Sequence, residues 1–249
     1  MKKSLFQVSQ APLSLNHKIL MNDKLSQQHI AFIPARKGSV GFPDKNRLFF
    51  DRTIQFIQST GLFDEIIVST NDEIIKEKTN KLNLSIHHRN EWLSGPAISI
   101  KQVVQNMVQE IGIAEDNYIW LFFIPFLYRN IEDFVKTKKL IEVKEISSLC
   151  SFIKAKSHPF DCWMFDQVNK KLTKYIENDI FRRQDKPAAW EHYHYLCCFK
   201  AKEISLLNHE LIGQDTYPLF LDEETTDKLV EVDCPKDYEK WRQKYAPEE

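Results

Sequence analysis

Short apolar runs alternate with longer stretches whose apolar residues recur at helical spacing, and the alternation starts at Ile30. Residues 30–33 predict a short buried strand, followed by a polar turn that runs to Asn46. Residues 48–60 place Leu48, Phe49, Ile54 and Phe56/Ile57 near one face of a helix that Gly61 ends. Residues 65–69 carry the continuous Ile66-Ile67-Val68 hydrophobicity of a strand covered on both faces. Residues 71–82 predict a helix capped by Asn71 or Asp72 with Ile74 and Ile75 inward, and a short strand follows at 84–88. An amphipathic helix at 99–111 presents Val103, Val104, Met107 and Ile111. Residues 118–126, the most apolar stretch, predict the central strand, and 130–140 a helix capped at Asn130 with Glu132 and Asp133 at its positive end.

Strand and helix alternating in this way predict an α/β fold: an open, mostly parallel, twisted sheet with helices on both faces and ligands at the carboxyl ends of its strands. Residues 148–200 break the rhythm with short β-like pieces and many aromatics, which predicts a small β-rich lobe at about residues 155–195. Residues 229–233 predict a last strand, and 235–245 a closing helix with Pro235 at its start. Residues 1–28 are polar without apolar periodicity and read as an extension ahead of a domain at 29–249.

Composition narrows the function classes. Formal charges nearly cancel, at −1 over 249 residues, so no global field draws the chain to nucleic acid or an anionic membrane. The five cysteines are odd in number and hold no Cys-x-x-Cys pair, which argues against a disulfide framework and a thiolate zinc site. No apolar run is long enough for a signal peptide or a membrane span. The expectation is a soluble cytoplasmic protein.

The candidate chemistry centres on the turn after the first strand. Gly38 and Gly41, two of only six glycines, can take positive φ and let backbone N–H groups approach a phosphate, while Arg36 and Lys45 supply charge and Ser39 a hydroxyl. By spacing alone such a turn reads equally well as a plain connection. Glu231 and Asp233 alternate along the last expected strand, where both carboxylates can hold Mg²⁺ or form a solvated strand end. Arg183 and Gln184 suit a carboxylate and hydroxyls, or a plain surface. His192 and His194 flank Tyr193 and would share a strand face. No third ligand stands at useful spacing, so packing or hydrogen bonding is preferred there to a transition-metal site.

Residue identity adds a resemblance. Ile-Pro-Ala-Arg-x-Gly-Ser-x-Gly-x-Pro-x-Lys-Asn, from Ile33 to Asn46, resembles the signature loop of the CMP-N-acylneuraminate synthetases, cytidylyltransferases that activate sialic-acid-type sugars. The stretch from Leu62 to Asp72, Arg89, Ser99, Arg129-Asn130-Ile131-Glu132-Asp133, Arg182-Arg183-Gln184-Asp185 and Val232-Asp233-Cys234-Pro235-Lys236-Asp237 look like later motifs of that family, so the likeness covers the chain from about Ile30 onward. It implies a Rossmann-like nucleotide-diphospho-sugar transferase fold. The implied reaction joins CMP from CTP to a 3-deoxy-2-ulosonic acid, an acidic nine-carbon sugar of the sialic, pseudaminic or legionaminic kind, with Mg²⁺ as cofactor. The small lobe would serve as the surface of a homodimer. By the same resemblance Arg36, Lys45 and Asp233 are catalytic; Arg36, Ser39, Asn46, Arg89 and Ser99 bind the nucleotide; Arg129, Arg183 and Gln184 bind the sugar; Glu231 and Asp233 hold the metal.

Departures from the family pattern keep other readings open. Val40 replaces a lysine, Phe123 to Leu127 replace Gln-Pro-Thr-Ser-Pro, Tyr193-His194 replace Asn-Gly, and Glu231 replaces an aspartate. A catalytically silent paralogue that binds nucleotide or a partner subunit is one alternative. A nucleotidyltransferase for another sugar is the other.

Overall fold

The computed structural model describes residues 27–38 and 41–245. Residues 1–26 of the expected extension, Ser39 and Val40 therefore lie outside the described residues. The elements in order are β1 (His29–Pro34), α1 (Lys45–Thr60), β2 (Glu65–Thr70), α2 (Glu73–Lys81), β3 (Ser85–His88), α3 (Ile100–Ile111), β4 (Tyr118–Leu121), α4 (Ile131–Lys144), β5 (Ser148–Lys154), β6 (Trp163–Asp166), β7 (Lys171–Lys174), β8 (Trp190–Lys200), β9 (Tyr217–Phe220), α5 (Glu223–Lys228) and α6 (Pro235–Tyr245).

A seven-stranded sheet runs β3-β2-β1-β4-β8-β5-β9, and β6 pairs with β7 in a separate two-stranded sheet. Neighbours are parallel except along β8, which is antiparallel to both β4 and β5. Alternate residues of each central strand enter different layers, as the two-residue period of a strand requires. Ala31, Ile33, Val68 and Trp120 pack with α1, α2, α4 and α6 on one face. Ile30, Phe32, Ile67 and Ile119 pack with α3 on the other. The open, mostly parallel α/β sheet covered on both faces is thus the one the alternation predicts. The chain runs outward from β1 to β2 and β3, then returns over the sheet to place β4 on the opposite side of β1. That reversal leaves a crevice at the carboxyl ends of β1 and β4.

Local rules account for several element ends. Ser99 and Gln102 form a reciprocal capping box at the start of α3. Asn130 caps α4 through Glu132 N–H, and Gly61 and Gly112 end α1 and α3 in the left-handed conformation.

Four expectations are corrected. Leu48 is exposed because α1 buries Phe49, Phe50, Thr53, Ile54 and Ile57, a face rotated away from it. Ile74 is likewise exposed while Ile75 is fully buried. The strand expected at 118–126 stops at Leu121, and Phe122 to Leu127 turn away as a loop. Residues 229–233 form no strand. Their one pairing is an isolated bridge from Glu231 to Phe126, reinforced by Val232 N–H donating to the Pro125 carbonyl at 3.0 Å, so the segment docks on an irregular loop. In the region of the expected lobe, the two-stranded sheet lies between β5 and β8, and Trp190 to Tyr195 belong to β8 of the large sheet.

The buried start of β1 carries a pH-dependent element. Trp120 Nε1 donates to His29 Nδ1 at 3.0 Å, and the imidazole stacks on Tyr118 with ring centroids 5.0 Å apart. This bond needs a bare Nδ1, so the native ring is neutral. Burial, then the charge of Lys138, pushes the His29 pKa down to about 4. Between about pH 6.5 and 4 the unfolded chain binds this proton and the native chain does not. Stability is therefore complete above about 6.5 and declines as pH falls, by about 3 kcal/mol from this residue. Urea unfolding should show that decline in the wild type and a shallower one in His29→Gln; equal slopes would refute the assignment.

Candidate active site

The end of β1 is fixed before the turn begins. Ala35 N–H donates to Ser69 O at 2.8 Å, and Thr70 Oγ1 donates to Ala35 O at 2.6 Å. Lys37 N–H donates to Asn71 Oδ1 at 2.8 Å. Asn46 Nδ2 reaches back to the Arg36 carbonyl at 2.9 Å, so the first turn of α1 holds the start of the loop. Asp44, just ahead of α1, adopts φ 58° and makes no side-chain cap to the helix. Its carboxylate pairs instead with Arg47, which also binds Asp72, so the positive end of α1 carries no capping side chain from Asp44.

The two glycines have different reasons. Gly38 has φ +81°, the left-handed region expected for it. Gly41 does not; a Cβ there would stand 2.7 Å from the Asp233 carbonyl oxygen. Its place is dictated by the close approach of the 231–233 segment.

These elements enclose a cavity of about 340 Å³ at the crevice beside β1, lined by Arg36, Lys45, Asn46, Arg89, Glu231 and Asp233 among others. Lys45 Nζ contacts Asp233 Oδ1 at 2.6 Å. Arg36 donates to the Ser94 carbonyl at 3.3 Å. Arg89 is 7% exposed and donates through Nη2 to Leu93 O at 2.6 Å. Its Nε is buried with no hydrogen-bond partner among the described residues. Burial, then the charge of Arg36, pushes the Arg89 pKa down to about 10. Two guanidiniums close enough to repel, one with an orphaned N–H, form a wall suited to an anion. On the facing side, burial and then the charge of Asp233 raise the Glu231 pKa.

Six of the eleven expected site residues thus share one cavity. Ser39 lies outside the described residues. Ser99 lines an adjoining cavity of about 480 Å³, which shares Ile98, Ile100, Phe123 and Glu231 with the first, and its hydroxyl is committed to capping α3. Arg129 is not brought to the site. It donates to Phe123 O at 2.7 Å from a different cavity, bounded by Arg52, Trp241 and Tyr245, because the turn after Leu127 carries it toward the α1–α6 layer. Arg183 and Gln184 line a fourth cavity of about 970 Å³ with Lys154 and His158, apart from the residues expected to bind nucleotide. Phe123 and Pro125 also line the first cavity. The sequence flagged them only as apolar replacements for polar residues.

No protein-family model matches the chain. An N-acylneuraminate cytidylyltransferase of Streptococcus agalactiae serotype V is 27% identical over 165 residues, covering 63% of this chain and 39% of that protein. The enzyme of the same name from serotype III is 27% identical over 139 residues, covering 52% and 33%. Over those stretches the chain is similar in sequence to the N-acylneuraminate cytidylyltransferases. The chain spans less than half the length of the curated proteins it matches. Its fold is also that of solved structures. A CMP:2-keto-3-deoxy-manno-octonic acid synthetase complexed with CTP aligns with TM-score 0.56 at 13% identity, over 90% of this chain and 100% of that one. A 4-diphosphocytidyl-2C-methyl-D-erythritol synthase aligns with TM-score 0.58 at 12% identity, over 88% and 99%.

Proposed function

We propose that this chain is a cytidylyltransferase that transfers CMP from CTP to a 3-deoxy-2-ulosonic acid of the sialic, pseudaminic or legionaminic kind, releasing pyrophosphate. The observation that carries the reading is the cationic wall of Arg36 and Arg89, with its orphaned Nε, facing Lys45, Glu231 and Asp233 across one cavity at the reversal of the sheet. A sugar hydroxyl attacks the α-phosphorus, and the bond to the β-phosphate oxygen breaks. Arg36, Arg89 and the open first turn of α1 offset the charge of the phosphates, and Asn46 holds the loop in register for the base and triphosphate. Positioning and charge compensation supply most of the acceleration in phosphoryl chemistry of this type.

Glu231 and Asp233 offer the hard oxygen donors that Mg²⁺ takes, and burial and then the charge of Asp233, which raise the Glu231 pKa, are what a divalent cation offsets. Bound there, Mg²⁺ would neutralise charge on the triphosphate.

A panel of sugar acids incubated with CTP and Mg²⁺ should give pyrophosphate with one member and none without CTP. Absence of release across the panel, with CTP still bound, would replace this reading by that of a silent nucleotide-binding paralogue, which the apolar Phe123 and Pro125 in the cavity wall favour.

The proposal extends to a homodimer formed through the β6–β7 hairpin, where Trp163, Met164, Phe165 and Leu172 are exposed. Light scattering should give twice the chain mass. A wild-type monomer would count against the dimer, and Phe165→Glu should produce one if this surface is correct.

A further inference from the structure

We infer that His192, His194 and Glu210 form a site for a single borderline transition-metal ion of the Zn²⁺ class, separate from the Glu231–Asp233 pair and opening on the cavity next to the nucleotide residues. Each of the three offers one ligand atom, and these atoms lie within 4.8 Å of one another. The third ligand that the sequence did not reveal comes from the loop after β8. His192 and His194 are two apart on that strand and share a face, with ring centroids 4.9 Å apart.

Glu210 is held against them by its own loop. Asn208 Oδ1 accepts from Glu210 N–H at 2.9 Å and from Ile212 N–H at 3.0 Å, while Leu211, at φ 60°, is fully buried as the anchor. The Glu210 carboxylate then stands 3.5 Å from His192 Nε2, close to the edge of about 3.3 Å in a tetrahedral zinc site with bonds of 2.0–2.1 Å. The His194 contact has the form seen around metal-bound imidazoles. Its Nε2 lies 2.9 Å from the Glu210 carbonyl oxygen, which can only accept, so Nε2 carries the proton and Nδ1 is left with a free lone pair. The two side chains that must move to close the site, His192 and Glu210, are both partly exposed.

Two imidazoles and one carboxylate suit zinc, not magnesium, which takes oxygen donors. Three protein ligands leave one position open, and His192, His194 and Glu210 all line the 480 Å³ cavity into which it would point. Glu231 lines that cavity and the nucleotide cavity alike, so an oxygen ligand on the ion would sit beside the proposed transfer site.

The test uses tag-free, full-length protein stripped with chelator, then titrated with Co²⁺ and with Zn²⁺ in competition, without nucleotide or sugar. The expected result is one equivalent of Zn²⁺ and the visible absorption of four- or five-coordinate cobalt. His192→Ala and Glu210→Ala should each weaken binding by about 100-fold or more, since losing even an outer hydrogen-bond partner costs 10- to 100-fold. His209→Ala, a neighbour in the same cavity, should bind as wild type does. Both ligand positions are partly exposed, so the variants should match the wild type in thermal melts with chelator present, and a loss of binding then reports the ligand itself. Cys150 and Cys197 also approach His194. Binding lost in Cys197→Ser but kept in Glu210→Ala would overturn the proposal, as would no stoichiometric uptake or uptake unchanged in both ligand variants. None of these readouts depends on CMP transfer, so this site and the proposed reaction fail or stand separately.

Discussion

Asp233→Ala is expected to lower kcat/KM for the proposed CMP transfer by about 10³-fold, ~4 kcal/mol of transition-state stabilisation, while leaving the fold almost untouched. The asymmetry follows from its surroundings. The Asp233 side chain is 63% exposed and its ion-pair partner is Lys45, so loss of the pair costs at most about 1 kcal/mol of stability. Functionally it has two tasks, since it fixes the Lys45 ammonium at 2.6 Å and stands beside Glu231 as the proposed second metal carboxylate. A double-mutant cycle separates them. If Asp233 acts only through Lys45, the variant carrying Lys45→Ala and Asp233→Ala is no slower than the slower single variant. If it also holds the cation, the effects accumulate and the Mg²⁺ concentration for half-maximal rate rises in Asp233→Ala alone. Turnover within tenfold of wild type in Asp233→Ala would remove the carboxylate from the mechanism.

Gly41→Ala is expected to lower stability by about 1–3 kcal/mol and turnover by about 10²-fold, an unusual result for one added methyl on a surface loop. The new Cβ would meet the Asp233 carbonyl oxygen at 2.7 Å and its carbon at 3.7 Å. That backbone cannot retreat freely. Val232 N–H is bonded to Pro125 O at 3.0 Å and Cys234 N–H to Asp237 Oδ2 at 3.1 Å, so relief comes from the loop between β1 and α1 and displaces Lys45 and Asn46 with it. Gly38→Ala is a different case. It places a side chain at φ +81°, which costs roughly 1–2 kcal/mol through backbone strain alone. Calorimetry with a turnover assay on both variants tests the distinction, and a Gly41→Ala protein as stable and active as wild type would sink it.

The readable part of the chain was the part governed by neighbours in sequence. The apolar run of β1, the capping box at Ser99, the Asn130 cap and the glycines ending α1 and α3 are local devices, and each element stands where its own residues ask. Errors arose where a face or a partner had to be chosen. Leu48 and Ile74 fit helical spacing as well as their buried neighbours do, and only the position of the sheet decides which are covered. Residues 229–233 alternate as a strand would, yet the partner they meet is a loop.

The same division runs through the candidate sites. By itself the sequence determined the α/β class, the polar turn after β1 and the resemblance of its residues to a nucleotide loop, because these depend on the period of hydrophobicity and on residue identity over a few positions. Only the tertiary structure brought Arg36, Arg89 and Asp233 to one cavity, left Arg89 Nε without a partner among the described residues, sent Arg129 to another cavity, and set Glu210 beside His192 and His194. Those outcomes depend on the order of strands in the sheet and on the course of irregular loops. Both are fixed by packing between residues far apart in the chain, which a local pattern does not encode.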